Sequence, residues 1–219
     1  GQVCEKEGYH LKLVQINENI DNVHKWIEDI RIANCAGVIL LGTEISLSAA
    51  KAFISLSVPV VLLDSYFDTL GCSSVLINNE QGAYLATNYL IDRYNKQPGH
   101  LCSSYKIENF EARKNGFIKA IREHGMSVAK SITHDLPPSI DGSLADMLEY
   151  INSGGSLAEC YFSDNDLIAI GAMKALKLSG YKIPDDISII GFDNVHESHV
   201  VEPSLTTIDI PREFMGQTA

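Results

Sequence analysis

The sequence predicts an α/β protein of two doubly wound lobes, each a parallel sheet covered by helices. Three observations carry this expectation. Short runs rich in Val, Ile and Leu recur along the 219 residues. Stretches with apolar residues three and four apart lie between them. The runs are too many for one small sheet. Runs that stay apolar along their whole length suit strands buried on both faces. Strand–helix–strand alternation at this spacing gives right-handed crossovers and parallel pairing.

The elements follow in order. "CEKEG" (4–8) reads as the last turn of a helix closed by Gly8, and "LKLVQI" (11–16) as the next strand. Ile20, Val23, Ile27 and Ile30 form a helical stripe. "AGVILL" (36–41), "VPVVLLD" (58–64) and "SSVLI" (73–77) are strands, and a short helix through Ala49, Ala52, Phe53 and Leu56 joins the first two. Ala83, Ala86, Leu90 and Tyr94 mark a long helix within 78–97, where the strand set divides. Beyond it, "HLCSS" (100–104), "AECYF" (158–162), "ISIIGF" (187–192) and "LTTIDI" (205–210) are strands. Phe117, Ala120 and Ile121 share a helix face, with Asn109 as the expected N-cap and Gly125 at its end. Ile168, Ala172, Ala175 and Leu176 share another, stopped by Gly180 and Pro184. Glycine just past an apolar stripe is a C-cap. Pro211 suits the first turn of a final helix. A helix tail at the start and a helix barely begun at the end lead to the expectation of a longer protein, cut at both ends.

Composition removes several function classes. The net charge is −11, which repels phosphate and lacks the basic footprint of a nucleic-acid binder. No apolar run is long enough to span a membrane, and "GQVCEKEGYH" has neither the basic nor the apolar region of a signal peptide. Cys4, Cys35, Cys72, Cys102 and Cys160 are odd in number and widely spaced, as expected of reduced thiols in a cytosolic protein. There is no GxGxxG, GxxxxGK[ST] or GxSxG motif. "HESH" (196–199) is HExH, so its histidines do not share a helix face, and no metal is expected there. No catalytic constellation and no cofactor motif appears, so an enzyme is not expected.

In open α/β sheets ligands bind outside the carboxyl ends of the strands. The residues found there are Asp64, Asn78 and Asn79, then Ser163, Asp164, Asn165 and Asp166, then Asp193 and Asn194. Asp and Asn also favour turns and helix N-caps; their recurrence at several strand exits points to a polar ligand. Arg113 stands in the first turns of a helix, where a cation opposes the macrodipole by a few tenths of a kcal/mol. It either pairs at the surface with Glu111 or aims its guanidinium into a cleft. Tyr66, Phe67, Tyr105, Phe110, Phe162 and Phe192 lie near the same exits, where one or two rings could stack on a sugar. "SIIGFDN" (188–194) ends an apolar strand on Asp193. An unpaired buried carboxylate costs several kcal/mol, so Asp193 is expected to face a cleft.

The run "FSDNDLIAIGAMKALKLSGYKIPDDISIIGFDN" (162–194), with "PSLTTI" (203–208), resembles the effector-binding domain of LacI/GalR-type transcriptional regulators. "GYHLKLVQI", "GVILLGTEIS", "VPVVLLD" and "EARKNGFIKAI" fit the same family in order. The resemblance implies a type I periplasmic-binding-protein-like fold with two Rossmann-like subdomains, 1–78 completed by 210–219, and 79–209. It implies hinge crossovers at Asn78 and at Asp209 and Ile210, a homodimer, and a helix-turn-helix headpiece absent from this stretch that would bind operator DNA. By position it makes Asp64, Arg113, Asn165, Asp166 and Asp193 effector-binding residues, with Tyr66 and Phe162 as candidate rings. Ile77 and Arg212 depart from positions that are aromatic in some sugar-binding members. The implied protein is a cytoplasmic regulator whose small-molecule effector, a sugar or sugar derivative, changes the lobe angle and with it operator affinity. The helix 168–178, residues 195–203 and the early helices of the first lobe are the expected dimer contacts. The alternative is a periplasmic or surface sugar-binding protein of a transport system; the unpatterned cysteines and the "IGFDN…PSLTTI" run favour the regulator.

Overall fold

The apolar runs pair side by side in parallel, as their composition requires. A computed structural model describes residues 2–16 and 20–219, apart from the side chains of 2 and 20–22. The chain divides into two units, Gly1–Ile77 with Pro211–Ala219, and Asn78–Ile210.

The first unit opens with α1 (Gln2–Lys6) and α2 (Ile20–Ile32), then β1 (Val38–Leu41), α3 (Leu47–Ile54), β2 (Val60–Leu63) and β3 (Ser73–Val75). The strands form a parallel sheet in the order β1-β2-β3, with Val38 opposite Val60 and Leu63 opposite Val75. Val23 and Ile27 of α2, and Ala49 and Phe53 of α3, bury Leu40 and Leu62. The half-buried Trp26 closes the same cluster. Ser46 caps α3 through the Ala49 N–H, 3.3 Å away.

The expected strand at 11–16 is not one. Those residues have no regular structure, and Leu13 is 92% exposed. Apolar content qualifies a segment for a strand; a ladder of backbone hydrogen bonds makes it one. Among the described residues nothing pairs with 11–16, and β1 is an edge on which Leu41 is 68% exposed. Ile20 begins α2 as expected, although its side chain lies outside the description.

The second unit runs α4 (Asn79–Tyr94), β4 (Gly99–Ser103), α5 (Glu108–Glu123), β5 (Thr133–Leu136), α6 (Ile140–Asn152), β6 (Cys160–Ser163), α7 (Asp166–Leu178), β7 (Ser188–Asp193), α8 (Glu197–Val200) and β8 (Thr206–Asp209). The chain then returns to the first unit with α9 (Arg212–Thr218). The sheet order is β5-β4-β6-β7-β8, all parallel. α4 and α5 pack as one pair and α6 and α7 as another. The period of two along β6 shows how the layers divide. Tyr161 joins the α6–α7 core with Ile168, Leu176 and Ile189, whereas Phe162 stacks with Phe117 of α5. α4 and α5 approach closely at Gly116, where a Cβ would lie 2.1 Å from the Glu80 carbonyl oxygen.

Three elements were absent from the sequence expectation: β5, α6 and the single turn α8. β5 has four residues and alternates exposed and buried, so only His134 and Leu136 turn inward. α6 was legible: Leu144, Met147, Leu148 and Ile151 recur at helical spacing, and Ser139 caps it through Gly142 N–H at 3.2 Å. Asn109 does not cap α5. Its cap position is Ile107, with no side-chain bond, and Glu108 and Glu111 occupy the first turn, where their charge suits the helix dipole.

Candidate functional site

Arg113 organises the carboxyl end of the second sheet. It lies on α5, 4% exposed. Its Nε donates to Asn79 Oδ1 at 2.8 Å, one terminal nitrogen donates to the Asp164 carbonyl, and the other donates to Asp193 Oδ1 at 3.0 Å. The guanidinium lies 3.8 Å from the Phe192 ring centroid and 5.5 Å from that of Phe110. Of the two readings open at the sequence level, the surface pair with Glu111 does not form; Glu111 is instead near Lys114, at 3.7 Å, and the guanidinium is buried. A buried guanidinium requires a carboxylate partner and further acceptors, and α4, the β6 exit and the β7 exit provide them. The Asp193 side chain keeps 23% of its surface exposed, so one side of the ion pair meets solvent.

Asp193 has a φ of 107°, and Asn194 after it a φ of 52°. Asp64, at the exit of β2, has a φ of 60°. Non-glycine residues in sparsely populated backbone regions cost about 1–3 kcal/mol each and gather at functional sites. Each unit thus carries a left-handed aspartate where a strand gives way to a loop. In the first unit Asp64 Oδ2 accepts from Thr43 Oγ1 at 2.7 Å, and the exposed Tyr66 follows two residues on. In the second, Asp193 is paired to Arg113.

Behind Arg113 lies a buried relay. The Cys102 thiol donates to His100 Nδ1 at 3.0 Å, and His100 Nε2 donates to Asp164 Oδ1 at 2.7 Å. Asp164 Oδ2 accepts from the Ser103 N–H at 2.7 Å. His100 is stacked against Phe117 and Phe162, with centroids 4.7 and 5.4 Å away. His, Cys and Asp are metal-ligating types, and their ligand atoms lie within 4.8 Å of one another. The imidazole separates them, however: the thiol is at Nδ1 and the carboxylate at Nε2, and one ion cannot take both nitrogens of a ring. Burial and the Asp164 charge push the Cys102 thiol up, away from the thiolate that a nucleophile or metal ligand needs.

Two of the candidates are fully buried. Phe162 is 0% exposed and stacks with His100 and Phe117. Asp166 is also 0% exposed. Its carboxylate accepts from Thr207 Oγ1 at 2.5 Å and from the Val195 N–H at 2.9 Å. Burial raises its pKa, and the bonds from Thr207, Val195, Phe192 and Asn194 oppose the rise. Asn165 caps α7: its Oδ1 accepts from the Ile168 N–H at 2.9 Å. Asn78 caps α4 through Gln81 N–H at 3.0 Å, Asp209 Oδ1 accepts from Asn194 Nδ2 at 2.8 Å, and Ile210 is buried. The structure therefore gathers Arg113 and Asp193, keeps Asp64 with Tyr66 in the other unit, and turns Asp166 and Phe162 inward. Thr43, His100 and Thr207 were missed. Asn79 was named among the strand-exit residues after "SSVLI" without its bond to Arg113; His100, a histidine inside a strand, gave no signal.

Parallel α/β units with polar groups at the strand exits define a small-molecule-binding fold. The chain belongs to the periplasmic binding protein-like domain family, whose profile matches residues 87–219. It is 30% identical over 220 residues to the HTH-type transcriptional repressor PurR of Pasteurella multocida strain Pm70, covering 99% of this chain and 65% of that one. It is 30% identical over 222 residues to the repressor of the same name from Mannheimia succiniciproducens, again 99% and 65%. The chain spans about two thirds of the length of these relatives. Among solved structures it resembles the transcription regulator CcpA of Lactococcus lactis, with a TM-score of 0.84, 22% identity, and coverage of 100% and 79%. It also resembles a LacI family transcriptional regulator from Enterococcus faecium with bound ribose, with a TM-score of 0.83, 25% identity, and coverage of 99% and 78%. The two-sheet parallel α/β fold and the LacI-type resemblance read from residues 162–208 are borne out.

Proposed function

We propose that this chain is the effector-binding part of a LacI-type, DNA-binding transcriptional regulator, a cytoplasmic homodimer that senses a sugar or sugar derivative. The observation that carries the reading is the Arg113–Asp193 pair, with Asp193 partly exposed at a strand exit of this family's fold. A carboxylate beside a guanidinium offers an acceptor and a donor to neighbouring hydroxyls, and rings nearby suit a sugar's apolar face. Asp64 and Tyr66 of the other unit, with the amide of Asn165, complete the proposed contact set. The subdomains are 1–78 with 210–219, and 79–209, and the crossings at Asn78 and at Asp209 and Ile210 act as hinges.

No bond is made or broken in this mechanism. A ligand that engages both subdomains stabilises one angle between them. Operator affinity, through a helix-turn-helix headpiece encoded before this stretch, changes by the same coupling free energy, typically about 1–3 kcal/mol. The relatives named as HTH-type repressors and the neighbour holding ribose support this reading. The acidic charge of these residues is in keeping with DNA contact through the headpiece.

Thermal unfolding of the full-length protein against ribose, other pentoses and hexoses, their phosphates, and purines tests the proposal. A ligand at a hundredfold its Kd stabilises by about 2.7 kcal/mol. The expected result is a raised midpoint with at least one sugar and its loss in Asp193→Asn. A panel without response, or an Asp193→Asn variant responding like wild type, overturns it. A helix-turn-helix at the full-length N-terminus supports the regulator, and an export signal there defeats it.

A further inference from the structure

Resting on the proposed binding role of Asp193, we propose that Asp166 is a positioning residue: with Thr207 it fixes the loop that holds Asp193, and it does not touch ligand. "FSDND" (162–166) and "PSLTTI" (203–208) both lie within the runs that carry the family resemblance, and the bond between Asp166 and Thr207 joins them. Thr207 Oγ1 donates to Asp166 Oδ1 at 2.5 Å and accepts from the Asn194 N–H at 3.3 Å. The other carboxylate oxygen accepts from the Val195 N–H at 2.9 Å. One buried carboxylate therefore ties the start of α7 to β8 and to the loop leaving β7. The residue between these anchors and the strand is Asp193, held at a φ of 107°.

The carboxylate is built in from the strand side as well. A Cβ on Gly191 would lie 2.1 Å from Asp166 Oδ1, so glycine there is what lets the acid reach the strand. A backbone conformation this unfavourable persists only when its surroundings over-determine it. Asp166 and Thr207 supply that determination on one side, and Arg113 supplies it on the other through its bond to Asp193 Oδ1.

Hydrogen–deuterium exchange on the full-length protein, without ligand, compares wild type with Thr207→Val, Thr207→Ser and Asp166→Asn. Thr207→Val is expected to speed exchange of the segment 193–195 by about tenfold, the scale of one lost hydrogen bond, while Leu101, Tyr161 and Ile168 keep their protection. Thr207→Ser restores the hydroxyl and should restore wild-type exchange. Asp166→Asn, where it folds, should act at least as strongly as Thr207→Val, and Thr207→Val decides if it does not. Unchanged exchange at 193–195 in Thr207→Val overturns the proposal, as does an equal rise over the whole unit or failure of Thr207→Ser to rescue. Because no ligand enters the measurement, its outcome is independent of whether the sugar panel responds.

Discussion

Removing the Arg113 side chain would leave Asn79 Oδ1, the Asp164 carbonyl and Asp193 Oδ1 without their donor. Breaking a buried charge pair costs about 3–5 kcal/mol, so Arg113→Ala is expected to lower the free energy of urea unfolding by that amount. It therefore cannot separate binding from folding. Asp193→Asn keeps an oxygen for Arg113 but removes its counter-charge, so its ligand response is read against its own ligand-free midpoint. A second residue-scale prediction concerns His134. The Tyr161 hydroxyl accepts from the Ala158 N–H at 2.8 Å and lies 3.1 Å from His134 Nε2. Burial lowers the His134 pKa below its ordinary 6.5. The unfolded chain then binds the proton more readily, so this contribution is full above 6.5 and is lost as pH falls through that value toward the folded pKa. His134→Gln should flatten the acid-side decline of the thermal midpoint; an unchanged slope would show that other groups cause it. The same scale sets the limit on reading a site from sequence. Asp193 and Arg113 were legible because a charge beside an apolar strand, or against a helix dipole, needs a reason. That Asp166 and Phe162 are buried was not legible, because residue type does not say which way a side chain turns at a strand exit.

Among the elements, β7 was legible from its isoleucines, whereas β4, β6 and β8 hold few or no Val, Ile or Leu and were read as short apolar runs between helical stripes. β5 was not, because an edge strand with one buried face shows a bare alternation over four residues. Residues 11–16 erred the other way, being apolar enough for a strand but without a ladder. The packing of α4 on α5 gives a prediction of its own. Gly116→Ala must displace backbone, not a flexible side chain, and overpacking of this kind costs about 1–3 kcal/mol. Urea unfolding of the variant should show that loss, while an unchanged midpoint would mean that the pair repacks freely.

At the scale of the molecule, the two units differ in how completely their strands are covered. β4 and β6 are buried at every residue, whereas β1 has an open edge with Ile39 and Leu41 exposed. Protection from hydrogen exchange follows burial and ladder completeness. In this 219-residue chain the amides of Leu40 and Leu62 are expected to exchange about tenfold or more faster than those of Leu101 and Phe162. Equal protection would show that the units open together. The separation into two strand groups was visible in the sequence as a long helix between them.

Trp26 is the chain's single tryptophan, and it packs in the first unit against α3 and β1. Its emission is therefore a private reporter of that unit, while far-ultraviolet circular dichroism sums the helices of both. Denaturation curves from the two signals need not coincide, and a gap between them would measure the independence of the units. A tryptophan placed by substitution at Phe110, beside Arg113, would give the second unit a voice of its own.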